Sequence, residues 1–348
     1  MNKANFPVLS APLWVGIAIT NKCNLKCVHC IYSAGNVSNN ELTTSEVKNL
    51  IKQCKDMGVY TIEFLGGEPF CREDLNELID EAYTAGLGVV LNTNATLITP
   101  EWIDNYYKKI MLFKIGFDGS TEEYNSFRKG ENVYQTVVSS IKQIQKKGVE
   151  VCLITTLHKG NVNKLEDIVK KSKELLTKGV FTITILTPRG RAKDISDLVL
   201  SKEDVKKAML TLHNLKKKYQ TKDGSFLIKE ELPESITLNE NLCDLSNGVR
   251  VCTAAVTQMG ISSDGWAYPC TTMIGVREDD HNVRKHDLKD IWKNSRLFVS
   301  VRDREDIVGK CKTCEFLYKC GGGCRYAAWA LTGTYQNPDP FCWYEPSN

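Results

Sequence analysis

From Trp14 to Leu186 the sequence alternates short apolar runs with stretches of helical periodicity, and this alternation limits the fold more than any other feature of the chain. Trp14–Thr20, Tyr60–Leu65, Gly88–Asn92, Met111–Phe117, Glu150–Thr156 and Phe181–Leu186 read as strands. Helical patterns separate them at Ser45–Met57, Arg72–Ala85, from about Pro100, at Tyr134–Lys147 and at Lys164–Thr177. Thr44 is the expected N-cap of the first helix, and Gly58, Gly86, Gly148 and Gly179 stand where helices stop. Strict alternation of this kind predicts a parallel sheet with right-handed crossovers. Six units are too few for a closed eight-unit barrel, so the predicted fold class is α/β, a partial, open (β/α)6 barrel of the TIM type. Chemistry in such sheets collects at the carboxyl ends of the strands.

Beyond the barrel the pattern changes. Lys202–Tyr219 reads as a helix, and Ile261–Tyr268 as a hairpin with Asp264-Gly265 at its turn. The expected organisation is an N-terminal extension over 1–13, the barrel over 14–200, a bridging helical segment over 201–240 and a cysteine-rich domain over 241–348. At 42% hydrophobic residues the chain can build a core without covalent help. Yet it has 14 cysteines. Met1–Pro12 lacks a signal-peptide pattern, and no apolar run reaches membrane-spanning length. A cytoplasmic location is therefore expected, with no membrane partner, and in that reducing setting clustered thiols mean metal rather than disulfides. The net charge of +3 carries little information, nothing in the sequence argues for a nucleic-acid partner and none is expected, and Lys216–Lys218 reads as a solvated helix face.

Cys23, Cys27 and Cys30 form a CxxxCxxC run directly after the first strand. Three thiolates can hold three irons of a [4Fe-4S] cube and leave the fourth iron open to a substrate. A zinc loop with His29 as fourth ligand is the alternative, but His29 is cramped between two of the cysteines.

The run and its place after strand one resemble the radical SAM superfamily, whose members cleave S-adenosylmethionine (SAM) reductively. His29 matches the usual aromatic position before the third cysteine. The resemblance implies that Gly66, Gly67, Glu68 and Pro69, after strand two, engage the SAM amino group. Close backbone approach suits glycine, and a carboxylate pairs with an ammonium. Asn92-Thr93-Asn94 is similar to a TNG segment, with Ala95 where glycine is usual. Asp118-Gly119 matches a DG pair, and Arg128 resembles the arginine that contacts the SAM carboxylate. The cofactor-binding candidates are thus Gly66, Gly67, Glu68, Pro69, Asn94, Asp118 and Arg128, with Cys23, Cys27 and Cys30 holding the catalytic cluster.

The later cysteines resemble the SPASM domain: Cys252, Gly265 and Cys270, then Cys311-x2-Cys314-x5-Cys320-x3-Cys324, then Cys342. The resemblance implies two auxiliary [4Fe-4S] clusters. Cys252, Cys270 and Cys324, with Cys243 as fourth ligand, would hold auxiliary cluster I. Cys311, Cys314, Cys320 and Cys342 would hold auxiliary cluster II. Zinc-ribbon knots are the alternative for this region. Cys54 and Cys152 read as structural thiols, while Cys71, just past the Gly66–Pro69 loop, is a candidate hydrogen-atom donor.

Gly321-Gly-Gly-Cys324-Arg-Tyr, Ala330-Leu-Thr-Gly333, Asp339-Pro-Phe-Cys342 and Pro12-Leu-Trp14 are similar to segments of the pyrroloquinoline quinone and mycofactocin peptide maturases. That resemblance implies hydrogen abstraction from a ribosomally made peptide, giving a carbon–carbon or thioether crosslink or an oxidation. The short stretch ahead of strand one implies a separate small recognition protein or recognition at the barrel mouth. A flavodoxin or ferredoxin-type reductant would supply electrons. Sulfatase maturases, which place an Asp directly after the second SPASM cysteine, fit less well, because Thr271 stands there. Haem and tungsten-cofactor enzymes of the same architecture, and a plain iron–sulfur electron carrier, are the other readings.

Overall fold

The computed structural model describes residues 9–38, 40–119, 121–230, 252–275, 277, 279–304 and 306–346. Six parallel strands alternate with helices as predicted: β1 (Trp14–Thr20), β2 (Thr61–Gly66), β3 (Gly88–Thr93), β4 (Leu112–Gly116), β5 (Glu150–Leu157) and β6 (Gly179–Ile185). The helices include α1 (Thr44–Met57), α2 (Leu75–Thr84), α3 (Pro100–Tyr106), α4 (Thr121–Arg128), α5 (Val133–Lys146), α6 (Leu165–Leu175) and α7 (Lys202–Tyr219).

The register explains why one face of the sheet is covered. Ile17 pairs with Phe64, Phe64 with Leu91, Leu91 with Phe113 and Phe113 with Val151. All five are buried in one core with the apolar helix faces, among them Val47, Leu50 and Ile51 of α1 and Ile141 and Ile144 of α5. Alternation of side chains along each strand sends the intervening residues to the other face. There Asn92 donates to Glu63 at 3.1 Å, and Lys114 sits 3.5 Å from the same carboxylate and 3.6 Å over the Trp14 ring.

Three details depart from the sequence reading. First, α1 is capped by Thr43 rather than Thr44: Glu46 N donates to Thr43 Oγ1, and Thr43 N donates back to Glu46 at 2.8 Å. This reciprocal box, worth about 1 kcal/mol, outcompetes a cap one residue later. Second, the helix expected from Arg72 starts at Leu75, because the Arg72 guanidinium turns back to donate to the carbonyls of Ile19 and Leu42. Third, the sheet does not end at six strands. Within the expected bridging segment β7 (Phe226–Glu230) pairs parallel to β6. Its apolar run is too short for periodicity to separate strand from helix.

On the other side β8 (Gln258–Ile261) pairs parallel to β1, and β9 (Ala267–Tyr268) pairs antiparallel to β8. This is the expected hairpin, begun three residues early, with Gly265 in the left-handed region at its turn. The cysteine-rich end is thereby an extension of the barrel sheet at β1, the strand that leads into the first cysteine loop. It continues through α8 (Leu288–Asn294), α9 (Arg296–Arg302), α10 (Leu317–Cys320) and α11 (Arg325–Thr332). No described helix is long and apolar enough to cross a membrane.

Candidate functional site

The loop after β1 is held open on both flanks. On one side Glu41 accepts from Thr20 Oγ1 and from the N–H groups of Asn21 and Ser38. On the other, Arg191 donates to the carbonyls of Cys27 (2.8 Å), Cys30 (3.0 Å, through its backbone N–H) and Ala34 (2.6 Å). Gly190, at φ +55°, lies so close to the Cys30 and Ile31 carbonyls that a Cβ would overlap them. Neither Glu41 nor Arg191 was among the expected site residues. The signal available was position: Arg191 lies just past the last expected strand, at its carboxyl end.

The loop brings Cys23, Cys27 and Cys30 within electrostatic reach of one another. Burial pushes the Cys23 thiol up to about 11, and the nearby Glu68, Cys27 and Cys30 add to the rise. Burial raises Cys27 as well, opposed by the charge of Arg128. Two buried thiols that resist ionising beside a third cysteine suit a cationic partner, which stabilises thiolates. Among the described residues no three Cys, His, Asp or Glu side chains converge on one ion. His29, the alternative zinc ligand, is stacked on Phe127 at 4.4 Å, and Phe127 on His158 at 4.5 Å. Burial drives the His29 imidazole down to about 3, so it is neutral.

The strand ends beyond this loop carry the other candidates. Glu68 is fully buried and accepts from Asn94 N (2.7 Å), Thr93 Oγ1 (2.7 Å) and Phe70 N (3.2 Å). It is a brace between the ends of β2 and β3, not a free carboxylate, although about four acceptor directions leave room for one more donor. Burial pushes its carboxyl up to about 7. Gly66 and Gly67 press against the β1 loop: a Cβ would overlap the Thr20 carbonyl at Gly66, and those of Asn21 and Lys22 at Gly67. Pro69 opens a short 3-10 turn. Asn94 points to the first loop, donating to Asn24 at 2.9 Å and lying 3.9 Å from Cys23 Sγ. Ala95 holds φ +59°, which explains why glycine is usual there, since a Cβ in that region costs roughly 1–2 kcal/mol.

Arg128 ends α4, a helix the sequence reading did not include. It lies buried against Asp118 at the end of β4, and Gly116 makes the room, since a Cβ there would overlap the guanidinium. Burial works against the charged form of Asp118. Arg128 outweighs it, with help from the Thr156 N–H, and holds the carboxyl below its ordinary range.

Among the described residues the C-terminal thiols lie in two groups. Cys324 hydrogen-bonds Cys252, whose thiol is held low by that bond and by the charge of Arg304. Cys270 lies within reach of Cys252, and burial pushes it up to about 11. Cys311, Cys314, Cys320 and Cys342 line one small cavity with Phe316, Leu317, Gly322 and Tyr344. Cys243 lies outside the described residues. Tyr32 joins the first loop to this end, donating to the Thr271 carbonyl at 2.5 Å. Cys54 is core and Cys152 is buried in β5, whereas Cys71 is half-buried near Glu68.

Comparison with known proteins adds to this geometry. The profile of the radical SAM superfamily matches residues 17–172, and that of the SPASM iron-sulfur cluster-binding domain matches residues 252–315. An AdoMet-dependent heme synthase of Methanosarcina barkeri is 30% identical over 97% of this chain and 98% of its own length. The mycofactocin maturase MftC of Mycobacterium tuberculosis is 29% identical over 96% of this chain and 83% of its own. Among solved structures, Streptococcus suis SuiB bound to S-adenosylmethionine superposes with a TM-score of 0.78 at 20% identity, covering 97% of this chain and 78% of that one.

Proposed function

The chain belongs to the radical SAM superfamily and carries its SPASM iron–sulfur domain, and from that premise we propose that it abstracts a hydrogen atom from a ribosomally made peptide. It is an enzyme, and SAM and iron–sulfur clusters are its cofactors. Cys23, Cys27 and Cys30 are assigned to the catalytic cluster. Cys252, Cys270 and Cys324, with Cys243, are assigned to auxiliary cluster I, and Cys311, Cys314, Cys320 and Cys342 to auxiliary cluster II. One observation carries the reading: the first cysteine loop, Glu68, Asn94 and the Asp118–Arg128 pair all lie at the carboxyl ends of adjacent parallel strands.

When bound, cluster and SAM together supply a 5′-deoxyadenosyl radical that takes the substrate hydrogen. The protein positions and shields. Gly66 and Gly67 seat the second strand end against the cysteine loop. Glu68 offers an acceptor toward an ammonium, while Asn94, whose Oδ1 accepts from Thr96, ties the end of β3 to the cysteine loop through Asn24. Arg128, already charged and buried, faces a carboxylate without having to give up water first. Cys71, a candidate hydrogen donor, lies near Glu68. A separate small protein presenting the peptide and a flavodoxin or ferredoxin-type reductant complete the proposed cycle.

The peptide reading is supported by the mycofactocin maturase relative and by the C-terminal cysteine sets. A second reading, a step in haem synthesis, is favoured by a specific observation: the heme synthase relative matches this chain over nearly the whole of both lengths. The test is anaerobic incubation of the cluster-loaded enzyme with dithionite and SAM. Release of 5′-deoxyadenosine is expected, and its absence would leave only an electron carrier. Adding either a short peptide encoded beside the gene or a haem-precursor porphyrin then decides the substrate. A mass change in the peptide supports the first reading, and conversion of the porphyrin overturns it.

A further inference from the structure

Two arginines are buried at the cysteine-rich end, and they are used differently. Arg325, at 1% exposure, spends four of its five guanidinium N–H donors on the carbonyls of Gly322, Gly323, Tyr335 and Asn337. It ties the loop before α11 to the loop after it. Arg304, at 3% exposure, is engaged by one described residue, Cys252, whose carbonyl accepts from Nη2 at 3.3 Å and whose thiol lies beside the guanidinium. Its Nε and Nη1 are shielded from solvent and meet no acceptor among the described residues.

Burying a charged donor without a partner costs more than the 1–3 kcal/mol typical of a neutral one. The arrangement therefore implies an acceptor. The guanidinium lies where its charge acts on the thiols of Cys252 and Cys320, Cys252 more strongly. A [4Fe-4S] core held by three or four thiolates carries roughly −1 to −2 overall, on sulfur atoms that accept hydrogen bonds. Hydrogen bonds to cluster sulfurs stabilise the more negative, reduced state and so raise the reduction potential.

We propose that Arg304 is a positioning residue for auxiliary cluster I: it donates its spare Nε and Nη1 hydrogens to the sulfurs of the cluster assigned to Cys252, Cys270 and Cys324, and holds that cluster's reduction potential up. This rests on the cluster assignment proposed above. It singles out one of the two auxiliary clusters as the better electron acceptor, on the ground that backbone carbonyls already occupy four of the five Arg325 guanidinium N–H donors.

The experiment is a redox titration followed by electron paramagnetic resonance. It uses the full, cluster-loaded chain in a Cys23→Ala/Cys27→Ala/Cys30→Ala background, so that only auxiliary signals remain. Arg304→Met is expected to cut the reduced-to-oxidised ratio of one cluster about tenfold at fixed poise, a downward shift of about 59 mV for one electron. The other cluster, which feels the Arg304 charge more weakly through Cys320, should shift less, and the iron content should not move. Unchanged potentials at full iron loading would overturn the proposal and leave Arg304 as a clamp on the Cys252 carbonyl. Should Arg304→Met not hold its clusters, Arg304→Gln and Arg304→Lys decide: a smaller shift in the same direction supports the proposal, and none overturns it. If Cys252→Ala/Cys270→Ala/Cys324→Ala binds as much iron as its parent, the cluster assignment fails instead.

Discussion

The Arg128 guanidinium meets a single oxygen of Asp118, Oδ2, through Nη2 at 2.5 Å and Nε at 3.0 Å, with both residues buried. The other carboxylate oxygen accepts from Thr156 N at 2.8 Å. The pair thus couples the end of α4 to the ends of β4 and β5. Removing one partner strands the other charge in the interior. Arg128→Met should therefore lose about 3–5 kcal/mol of stability, and Asp118→Asn/Arg128→Met should lose less than the two single changes summed. Denaturant unfolding of the four proteins checks this; additive losses would show that the two groups do not interact.

Gly116→Ala displaces the guanidinium without removing its charge, because the new methyl would overlap it. Iron content should stay at the wild-type value while 5′-deoxyadenosine release falls on the order of 10–100-fold, the scale of a misplaced binding group. Wild-type release from this variant would mean that Arg128 position does not matter to SAM.

Gly67→Ala acts one step earlier. Its methyl would overlap the Asn21 and Lys22 carbonyls, directly ahead of Cys23. Loss of about a third of the bound iron is expected, one cluster in three, with the C-terminal clusters kept. Iron analysis and the auxiliary resonance signals measure both parts. Loss of all the iron would instead indicate global misfolding.

Glu68 makes stability depend on pH. Its folded carboxyl titrates at about 7, above the ordinary 4.5, because burial disfavours the charge. Below about 4.5 both folded and unfolded chains hold the proton, and there is no penalty. As pH rises toward 7 only the unfolded chain releases it, so the folded state loses stability, and the full penalty stands above 7. At about 1.4 kcal/mol per unit this amounts to roughly 3 kcal/mol. Unfolding of the metal-free chain between pH 5 and 8 should show that decline, and Glu68→Gln should flatten it. A Gln variant with the wild-type slope would assign the effect to other groups.

The two cysteine sets were legible in the sequence because their spacing is a local property, and so was the order of strand-end motifs. Arg128 was legible as a candidate, but not its attachment to Asp118, because α4 carries little apolar periodicity. Glu41 and Arg191 were not legible at all. Each acts by closing a contact with the cysteine loop from a different distance along the chain, and nothing in a glutamate or an arginine marks which carbonyl or amide it will reach.

What the sequence determined by itself was the alternation that makes a parallel sheet and the spacing that puts three thiols on one loop and seven more beyond residue 251. Both follow from side-chain period and chain geometry within a few residues. What only the tertiary structure decided was which charged groups are buried together: Asp118 with Arg128, Glu68 between Thr93 and Asn94, Arg304 behind Cys252. Those pairings depend on sheet register and on how loops close over strand ends. The low dielectric that makes each one matter exists only once the chain around it has packed.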